Sequence, residues 1–262
     1  MRIDRAGASK GEGRSVTGGE EGYVSEVFRS IQGEGPYVGV LQAFVRFAGC
    51  SARCRYCDTE EARERTRECA LRALGEPRRV PNPVSADEIS SFVRALANVP
   101  GFHSVSLTGG EPLDQPEFAT ALVARFRAAG IPVYLETAGL SVEGARAVAG
   151  GLDFVSLDIK LPSLCPGVSL DAYRSVLPLF EGARLFCKIV VAEGFVLDEL
   201  AAAARIVAAY DRAATVVVQP ATPAAGCGAV TGERLLECHA LASTYLDDVR
   251  VIPQCHRCLG LR

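Results

Sequence analysis

Three cysteines lie close together early in the chain: Cys50, Cys54 and Cys57. Their spacing is C-x3-C-x2-C, and they directly follow an apolar run over residues 41–48 that is typical of a β-strand. Three thiolates on one short loop can converge on one metal centre, and three ligands leave a coordination position open for another molecule. A structural zinc site normally has four ligands, and this loop supplies no fourth. The spacing therefore favours an iron–sulfur cluster, with a zinc site or uncoordinated thiols as alternatives.

A second segment that could do chemistry is TGGEP at residues 108–112, which follows the apolar run at 104–107. Glycine lets a ligand approach the backbone closely, and a carboxylate is a suitable partner for an ammonium group. Taken alone, this segment could equally be an ordinary turn between a strand and a helix.

These segments lie in a chain that alternates between apolar runs and helical patterns, of which the clearest is a helix that begins with a capping box at Ser85 and Glu88. The predicted strands cover residues 41–48, 104–107, 131–136, 153–159, 184–191, 215–220 and 249–252. The predicted helices cover residues 85–97, 115–129, 142–149, 169–180, 197–212 and 231–246. This alternation predicts an α/β fold with a parallel sheet, in the form of an open or partial β/α barrel.

In barrels of this kind the chemistry takes place at the carboxyl ends of the strands. Polar or cysteine residues stand at or near these predicted ends: Cys50, residues 108–112, Glu136, residues 158–160, Lys188 and Gln219. The two chemical segments are therefore expected at one edge of the sheet.

Composition limits the function classes. A net charge of -3 and a pI near 5.8 give no basic surface for nucleic acid. No run of 18 apolar residues predicts a membrane span, and no apolar run near the start predicts a signal peptide. We therefore expect a cytoplasmic protein, in which clustered cysteines bind metal more often than they form disulfides. Residues 1–22 are predicted to be a flexible tail and residues 23–262 a single domain. The charged stretch 60–83 is expected to be a solvated insertion, or otherwise a lid.

The cysteine spacing together with TGGEP resembles the radical S-adenosylmethionine (SAM) superfamily. The resemblance implies a 4Fe–4S cluster on Cys50, Cys54 and Cys57, with SAM bound to its open iron. Hydrogen abstraction is then done by a radical derived from SAM, so no side chain is given a catalytic role. The residues implied to bind SAM are Thr108, Gly110, Glu111, Glu136, Ser156, Lys160 and Gln219.

Further motifs resemble the 7-carboxy-7-deazaguanine synthase family: SIQGEG at 30–35, FVRFAG at 44–49, CDT at 57–59 and IPQCH at 252–256. The resemblance implies that 6-carboxytetrahydropterin is converted to 7-carboxy-7-deazaguanine with loss of ammonia, in a deazapurine pathway such as queuosine biosynthesis. It also implies Mg²⁺ and an electron donor such as flavodoxin or ferredoxin; a homodimer is left open. Thr59 is implied to ligate Mg²⁺, and the residues implied to bind substrate are Gln32, Gly33, Glu34, Arg46 and His256.

Each transferred residue has a plainer alternative. The QGEG element could be a simple turn, Arg46 a solvated strand residue, Thr59 a helix cap and His256 a surface residue. The late cysteines Cys227, Cys238, Cys255 and Cys258 could be idle thiols or, less expectedly, a second metal site.

Two other functions compete with the pterin reaction. One is a radical SAM activase that installs a glycyl radical on a partner protein, and it would leave QGEG, Arg46 and the IPQCH element unexplained. The other is a zinc-stabilised binding module without catalysis.

Overall fold

The computed structural model describes residues 20–223 and 227–261. Its strands are β1 (Glu21–Gly22), β2 (Val24–Ile31), β3 (Leu41–Phe47), β4 (Glu68–Leu71), β5 (Arg78–Pro81), β6 (Val84–Ser85), β7 (Phe102–Thr108), β8 (Val133–Thr137), β9 (Phe154–Asp158), β10 (Arg184–Val191), β11 (Thr215–Pro220) and β12 (Asp248–Val251). Ten of them form one sheet in the order β12-β11-β10-β9-β8-β7-β3-β2-β4-β5, and β1 pairs with β6.

Strand β3 and strands β7 to β12 run parallel to one another, as the alternating pattern predicts. Strand β2 is antiparallel to β3 and extends the sheet on the other side. In the described ranges the end strands β12 and β5 do not pair with each other. The sheet is therefore a partial β/α barrel, and the predicted fold class is confirmed.

The helices are α1 (Ala86–Ala97), α2 (Pro116–Ala128), α3 (Val142–Val148), α4 (Tyr173–Val176), α5 (Leu197–Tyr210), α6 (Gly232–Ser243) and α7 (Cys255–Cys258). The predicted cap of α1 is confirmed, because the Ser85 hydroxyl accepts a hydrogen bond from the Glu88 amide at 3.2 Å. Ile89 and Val93 of α1 are fully buried in the main core. None of the described helices is long and apolar enough to cross a membrane.

A second, smaller core explains how the strands present polar groups. Tyr134, Phe154, Phe186 and Val217, one from each of four neighbouring strands, are buried together. Side chains in a strand alternate between faces, so the residue two positions later points the same way. Those later residues are Glu136, Ser156, Lys188 and Gln219. An apolar layer therefore supports a polar layer on the same face of the sheet.

The prediction of one continuous helix over residues 169–180 is wrong. Only Tyr173–Val176 is α-helical, and Leu177–Phe180 is a 3₁₀ turn. Pro178 lies in that turn, where its missing N–H and its ring would interrupt an α-helix.

Residues 60–83 are not simply a solvated insertion or a lid. They contain the hairpin of β4 and β5, which is paired to β2 at the edge of the large sheet. Cys69 in β4 is fully buried. Strand β2 itself is a further element that the sequence patterns did not predict.

The predicted tail over residues 1–22 lies mostly outside the described residues. Its boundary needs correction, because Glu21 and Gly22 already form β1, which pairs with β6. The described secondary structure therefore begins at Glu21, before Tyr23.

Candidate active site

A cavity of about 420 Å³ opens on the face of the sheet that carries the polar layer. It is lined by every residue for which the sequence predicted a binding role. These are Gln32, Gly33, Glu34, Arg46, Cys50, Cys54, Cys57, Thr59, Thr108, Gly110, Glu111, Glu136, Ser156, Lys160, Gln219 and His256. The structure thus brings the whole predicted set together, while the individual roles remain predictions.

The cysteine loop follows β3 and is fastened along its length by backbone hydrogen bonds. The Cys50 amide donates to the Arg63 carbonyl at 3.0 Å, and the Arg55 amide donates to the Leu164 carbonyl at 2.9 Å. The Arg63 guanidinium donates to the Cys54 carbonyl at 2.6 Å. A hydrogen bond with Cys57 raises the pKa of Arg63, so a cation stands beside this thiol.

The spacing of the three thiols does not favour a single zinc ion. Four sulfurs around one zinc at about 2.3 Å would lie about 4 Å apart. Among the described residues, Cys50, Cys54 and Cys57 do not form a group whose sulfurs all lie within 4.8 Å of one another. Three thiols on the wall of one cavity, with no fourth ligand from the same loop, suit a cluster that keeps one iron open.

Cys54 has a thiol neighbour that the sequence spacing does not reveal. Its sulfur lies 3.5 Å from that of Cys165, which is fully buried. The hydrogen bond between them raises the pKa of Cys54. Burial raises the pKa of the Cys50 thiol to about 11. The protein environment alone therefore does not ionise the thiols of Cys50 and Cys54, and metal coordination would have to do so.

The TGGEP segment packs directly on the start of the cysteine loop. Gly109 and Gly110 have φ values of +61° and +41°, which favour glycine. A Cβ atom at Gly110 would lie 2.5 Å from the Gly49 carbonyl oxygen, so a side chain has no room there. The Glu111 amide donates to that same carbonyl at 3.0 Å. This contact fixes the two chemical segments relative to each other.

Glu111 is a buried carboxyl that joins the ends of two strands. It accepts hydrogen bonds from the Leu113 amide at 3.0 Å, the Thr137 hydroxyl at 2.6 Å and the Ala138 amide at 2.7 Å. Burial raises its pKa to about 7. An ammonium group bound beside it would favour its ionised form, so the predicted contact with the SAM amino group fits this carboxyl.

Another feature that fits SAM is an unsatisfied acceptor on the cavity wall. Gln219 is 2% exposed, and its side-chain oxygen has no hydrogen-bond partner among the described residues. Buried polar atoms are nearly always hydrogen-bonded, so a hydroxyl or amino donor of a ligand would satisfy it. Lys160, a second predicted contact, is held 2.8 Å from Asp158.

The QGEG element is not a simple turn. The Gln32 side-chain amide donates to Gln42 at 2.9 Å and to Glu136 at 3.0 Å, and its oxygen accepts from the Glu34 amide at 3.0 Å. Gln32 is 3% exposed. This network fixes where the Glu34 carboxylate points.

Glu34 is kept ionised although it is buried. Burial acts to raise the pKa of Glu34, but the charge of Lys188 and hydrogen bonds outweigh it, and the pKa is lowered. The Lys188 ammonium contacts both Glu34 and Asp158. Lys188 lies inside β10 rather than at its end, and it pairs in register with Asp158 of β9. An ionised carboxylate at this position can only accept hydrogen bonds from a ligand.

Arg46 is not a solvated strand residue. Its Nε donates to Glu26 at 3.1 Å, and its guanidinium lies 5.5 Å from the ring centre of Phe28. The other oxygen of Glu26 accepts from Arg72 at 2.8 Å. Arg46 lies in the cavity wall with one edge of its guanidinium held by Glu26. This position suits Arg46 to bind an anionic group of a ligand.

Thr59 is not a helix cap in the described structure. It precedes the 3₁₀ turn Glu60–Ala62, and its side chain makes no capping hydrogen bond there. Its hydroxyl donates instead to Asp58 at 2.9 Å and lies 3.4 Å from the Arg46 guanidinium. A hydroxyl beside a carboxylate on a cavity wall fits Mg²⁺, which prefers oxygen ligands.

The C-terminal segment closes one side of the cavity. Gln254, which no prediction named as a binding residue, donates to Glu34 at 2.8 Å and to Asp58 at 2.7 Å. Burial acts to raise the pKa of Asp58, but hydrogen bonds from Gln254 and Thr59 outweigh it and lower the pKa to about 2. His256 lies against Gly33, where a side chain would collide with it. His256 is therefore part of the cavity wall rather than an isolated surface residue.

The charged and amide residues of the cavity wall that were not predicted to bind include Glu26, Asp58, Lys188 and Gln254. Asp58 and Gln254 lie within motifs that were recognised, so neighbouring residues could have pointed to them. Glu26 gives no signal in the sequence, because its role depends on the pairing of β2 with β3.

A second metal site on the late cysteines is not supported. In the described ranges, one group of three possible ligands has its atoms within 4.8 Å, and it consists of Glu34, Asp58 and His256. That group already contacts Lys188 and Arg257, which compensate its charge. Cys227 and Cys238 are buried, and Cys255 and Cys258 lie on α7.

Comparison with known proteins shows the fold and the family to which this chain belongs. The family model of the Radical SAM superfamily matches residues 44–163. The crystal structure of QueE from Escherichia coli superposes with a TM-score of 0.60 at 20% identity, covering 90% of this chain and 95% of that one. A radical SAM methyltransferase from Sphaerobacter thermophilus superposes with a TM-score of 0.56 at 15% identity, covering 87% and 77%. At these identities the two structures show a shared fold.

Sequence relatives identify the family within this superfamily. A 7-carboxy-7-deazaguanine synthase from Geobacter sulfurreducens is 37% identical over 90% of this chain and 96% of its own length. One from Methanothermobacter thermautotrophicus is 36% identical over 91% and 97%. The chain belongs to the 7-carboxy-7-deazaguanine synthase family of the radical SAM superfamily.

Proposed function

We propose that this protein converts 6-carboxytetrahydropterin to 7-carboxy-7-deazaguanine with release of ammonia. The observation that carries the proposal is that the residues predicted to bind the pterin and the three cysteines line one cavity. A cavity of about 420 Å³ suits a small molecule beside a cofactor. The product would enter a deazapurine pathway.

The cofactors are a 4Fe–4S cluster, SAM and Mg²⁺. Cys50, Cys54 and Cys57 would hold the cluster, residues 108–111 and Gln219 would bind SAM, and Thr59 would ligate Mg²⁺. When bound, the reduced cluster and SAM supply a radical that takes hydrogen from the substrate, and Mg²⁺ supplies positive charge beside the substrate carboxylate.

The chain's own residues would recognise the two polar ends of the substrate. The ionised Glu34 can accept hydrogen bonds from the amino and ring N–H groups of a pterin. Arg46, already held along one edge by Glu26, can donate its remaining N–H groups to the substrate carboxylate. His256 and Gln254 would close the cavity over the bound ring.

The direct test is to incubate reconstituted protein with SAM, Mg²⁺, a reductant and 6-carboxytetrahydropterin without oxygen. We expect a product with the mass of 7-carboxy-7-deazaguanine and release of one ammonia per product. Cleavage of SAM without this product would reject the proposed substrate while retaining the radical SAM assignment.

A specific test of the magnesium site is Thr59→Ala. We expect the Mg²⁺ concentration for half-maximal turnover to rise severalfold, because one oxygen ligand is lost, while SAM binding stays close to that of the wild type. Thr59→Ser keeps the hydroxyl and serves as the control. Identical midpoints in the wild type and Thr59→Ala would exclude ligation by Thr59.

The glycyl-radical activase is not favoured by the comparisons, whose relatives are named as synthases. The remaining proposals concern the setting of the reaction. A flavodoxin or ferredoxin would supply electrons, residues 23–262 would act as one domain, and the assembly could be a homodimer. The abundance of cysteines suits a reducing compartment, and we place the protein in the cytoplasm.

A further inference from the structure

The two C-terminal cysteines form a pair that the proposed reaction does not use. Cys255 and Cys258 are the first and last residues of α7, a single helical turn. Residues three apart on a helix have Cα atoms about 5 Å apart, which lies inside the range of about 4.4–6.8 Å found in disulfides. Their Cβ atoms, about 5–6 Å apart on a regular helix, must approach to about 4 Å. A disulfide is therefore reachable, but only if the turn tightens.

Among the described cysteines outside the cluster loop, only Cys255 and Cys258 are accessible to solvent. Cys258 is exposed and Cys255 is partly exposed. The other described cysteines outside the loop are all buried: Cys69, Cys165, Cys187, Cys227 and Cys238. A soluble disulfide would therefore meet Cys258 first.

Hydrogen bonds connect the helical turn that carries Cys255 and Cys258 to the predicted substrate side of the cavity. The Cys255 amide donates to the Gly33 carbonyl at 2.8 Å. Gln254, directly before the turn, donates to Glu34 and Asp58. Tightening α7 would therefore pull on the contacts that orient Glu34.

The two residues between the cysteines, His256 and Arg257, also contact residues of the cavity wall. His256 lies against Gly33 on the cavity wall. Arg257 donates to the Asp58 carbonyl at 3.3 Å and lies 3.5 Å from its carboxylate. Cys255, His256 and Arg257 therefore cannot move far without changing a contact at the cavity.

We propose that Cys255 and Cys258 are a redox-active dithiol site that reacts with small-molecule disulfides and controls substrate binding through Gln254 and His256. The Cys258 thiolate attacks one sulfur of the disulfide, forms a mixed disulfide and releases one thiol. The Cys255 thiolate then attacks the Cys258 sulfur and releases the second thiol. In total, two protein thiols are oxidised and one small disulfide is reduced to two thiols. The control of binding, but not the dithiol chemistry, rests on the proposed function.

The experiment equilibrates the cluster-loaded protein with oxidised and reduced glutathione without oxygen. We expect peptide mass spectrometry to find a Cys255–Cys258 disulfide, two hydrogens lighter than the dithiol peptide, with cluster absorbance unchanged. The stable compound 7-carboxy-7-deazaguanine serves as the binding probe, because it needs no turnover. Its Kd should rise at least threefold on oxidation and return after treatment with dithiothreitol.

Cys258→Ser is the matched variant, since it removes the exposed thiol and leaves the cavity contacts of α7 in place. Its Kd should equal that of the reduced wild type and should not respond to glutathione disulfide. Free thiols at both positions, or a persistent glutathione adduct on Cys258, would overturn the dithiol site. A disulfide that forms without changing the Kd would overturn its control of binding. Absence of probe binding to the reduced wild type would reject the pterin site, while the mass measurement would still decide the dithiol.

Discussion

Replacing Cys54 with alanine should abolish cleavage of SAM and leave the reconstituted protein colourless. A cluster that keeps one iron open for SAM depends on all three thiolates of the loop, so the loss should reach the detection limit, and Cys50→Ala and Cys57→Ala should behave alike. The measurements are formation of 5′-deoxyadenosine and the visible absorbance of the cluster. Zinc gives no such absorbance, so the same spectrum separates the two metal assignments.

Two controls make this result specific. Cys69→Ala removes a thiol that is buried in β4 away from the loop and should keep both signals. Cys165→Ala is the sharper control, because the Cys165 sulfur lies 3.5 Å from that of Cys54. If Cys54→Ala kept full SAM cleavage and Cys165→Ala lost it, the third ligand would be Cys165 and the loop assignment would be wrong.

Replacing Arg46 with alanine should lower kcat/KM for the pterin at least tenfold while cluster content stays normal. Removing one partner of a desolvated, hydrogen-bonded charge pair costs about 2–5 kcal/mol. The variant should remain folded, since Glu26 keeps its hydrogen bond from Arg72 and is not left as an unpaired buried charge. Steady-state kinetics with varied pterin, together with iron content, would measure the effect.

Arg72→Ala is the matched control for Arg46. Both arginines donate to the same carboxylate of Glu26, but only Arg46 lines the cavity. We therefore expect Arg72→Ala to change kcat/KM by less than about threefold, as is usual for partly exposed ion pairs. Equal losses in the two variants would mean that Arg46 acts by stabilising Glu26 rather than by binding substrate.

The sequence was sufficient to predict those elements whose signal is local. The parallel strands β10 (Arg184–Val191) and β11 (Thr215–Pro220) have the predicted bounds, because buried parallel strands are continuous apolar runs. Strand β2 was missed because its cavity face carries polar residues such as Glu26, which interrupt the apolar pattern. Strands β4 and β5 are short, and one of their stabilising pairings is with β2, more than 40 residues away in the chain.

In the site, too, features with a local sequence signal were predicted, and features that depend on distant segments were not. Residues within recognisable motifs were predicted, and the structure brings them to one cavity. The bridge of Lys188 between Glu34 and Asp158 depends on three segments meeting in space. No spacing in the sequence carries that information, because it is set by the register of β9 and β10 and by the path of the QGEG element.

The two layers of side chains on the sheet have a consequence for how such an enzyme can diversify. Tyr134, Phe154, Phe186 and Val217 pack together in the apolar layer, while Glu136, Ser156, Lys188 and Gln219 line the cavity. Since packing and ligand recognition would fall to different residues of the same strands, substitutions of the uncharged residues of the polar layer, Ser156 and Gln219, can alter specificity while the apolar layer stays packed. A one-residue insertion within a strand would turn the side chains of both layers in that strand to the opposite face of the sheet. Selection on these strands should therefore accept substitutions readily and reject insertions and deletions.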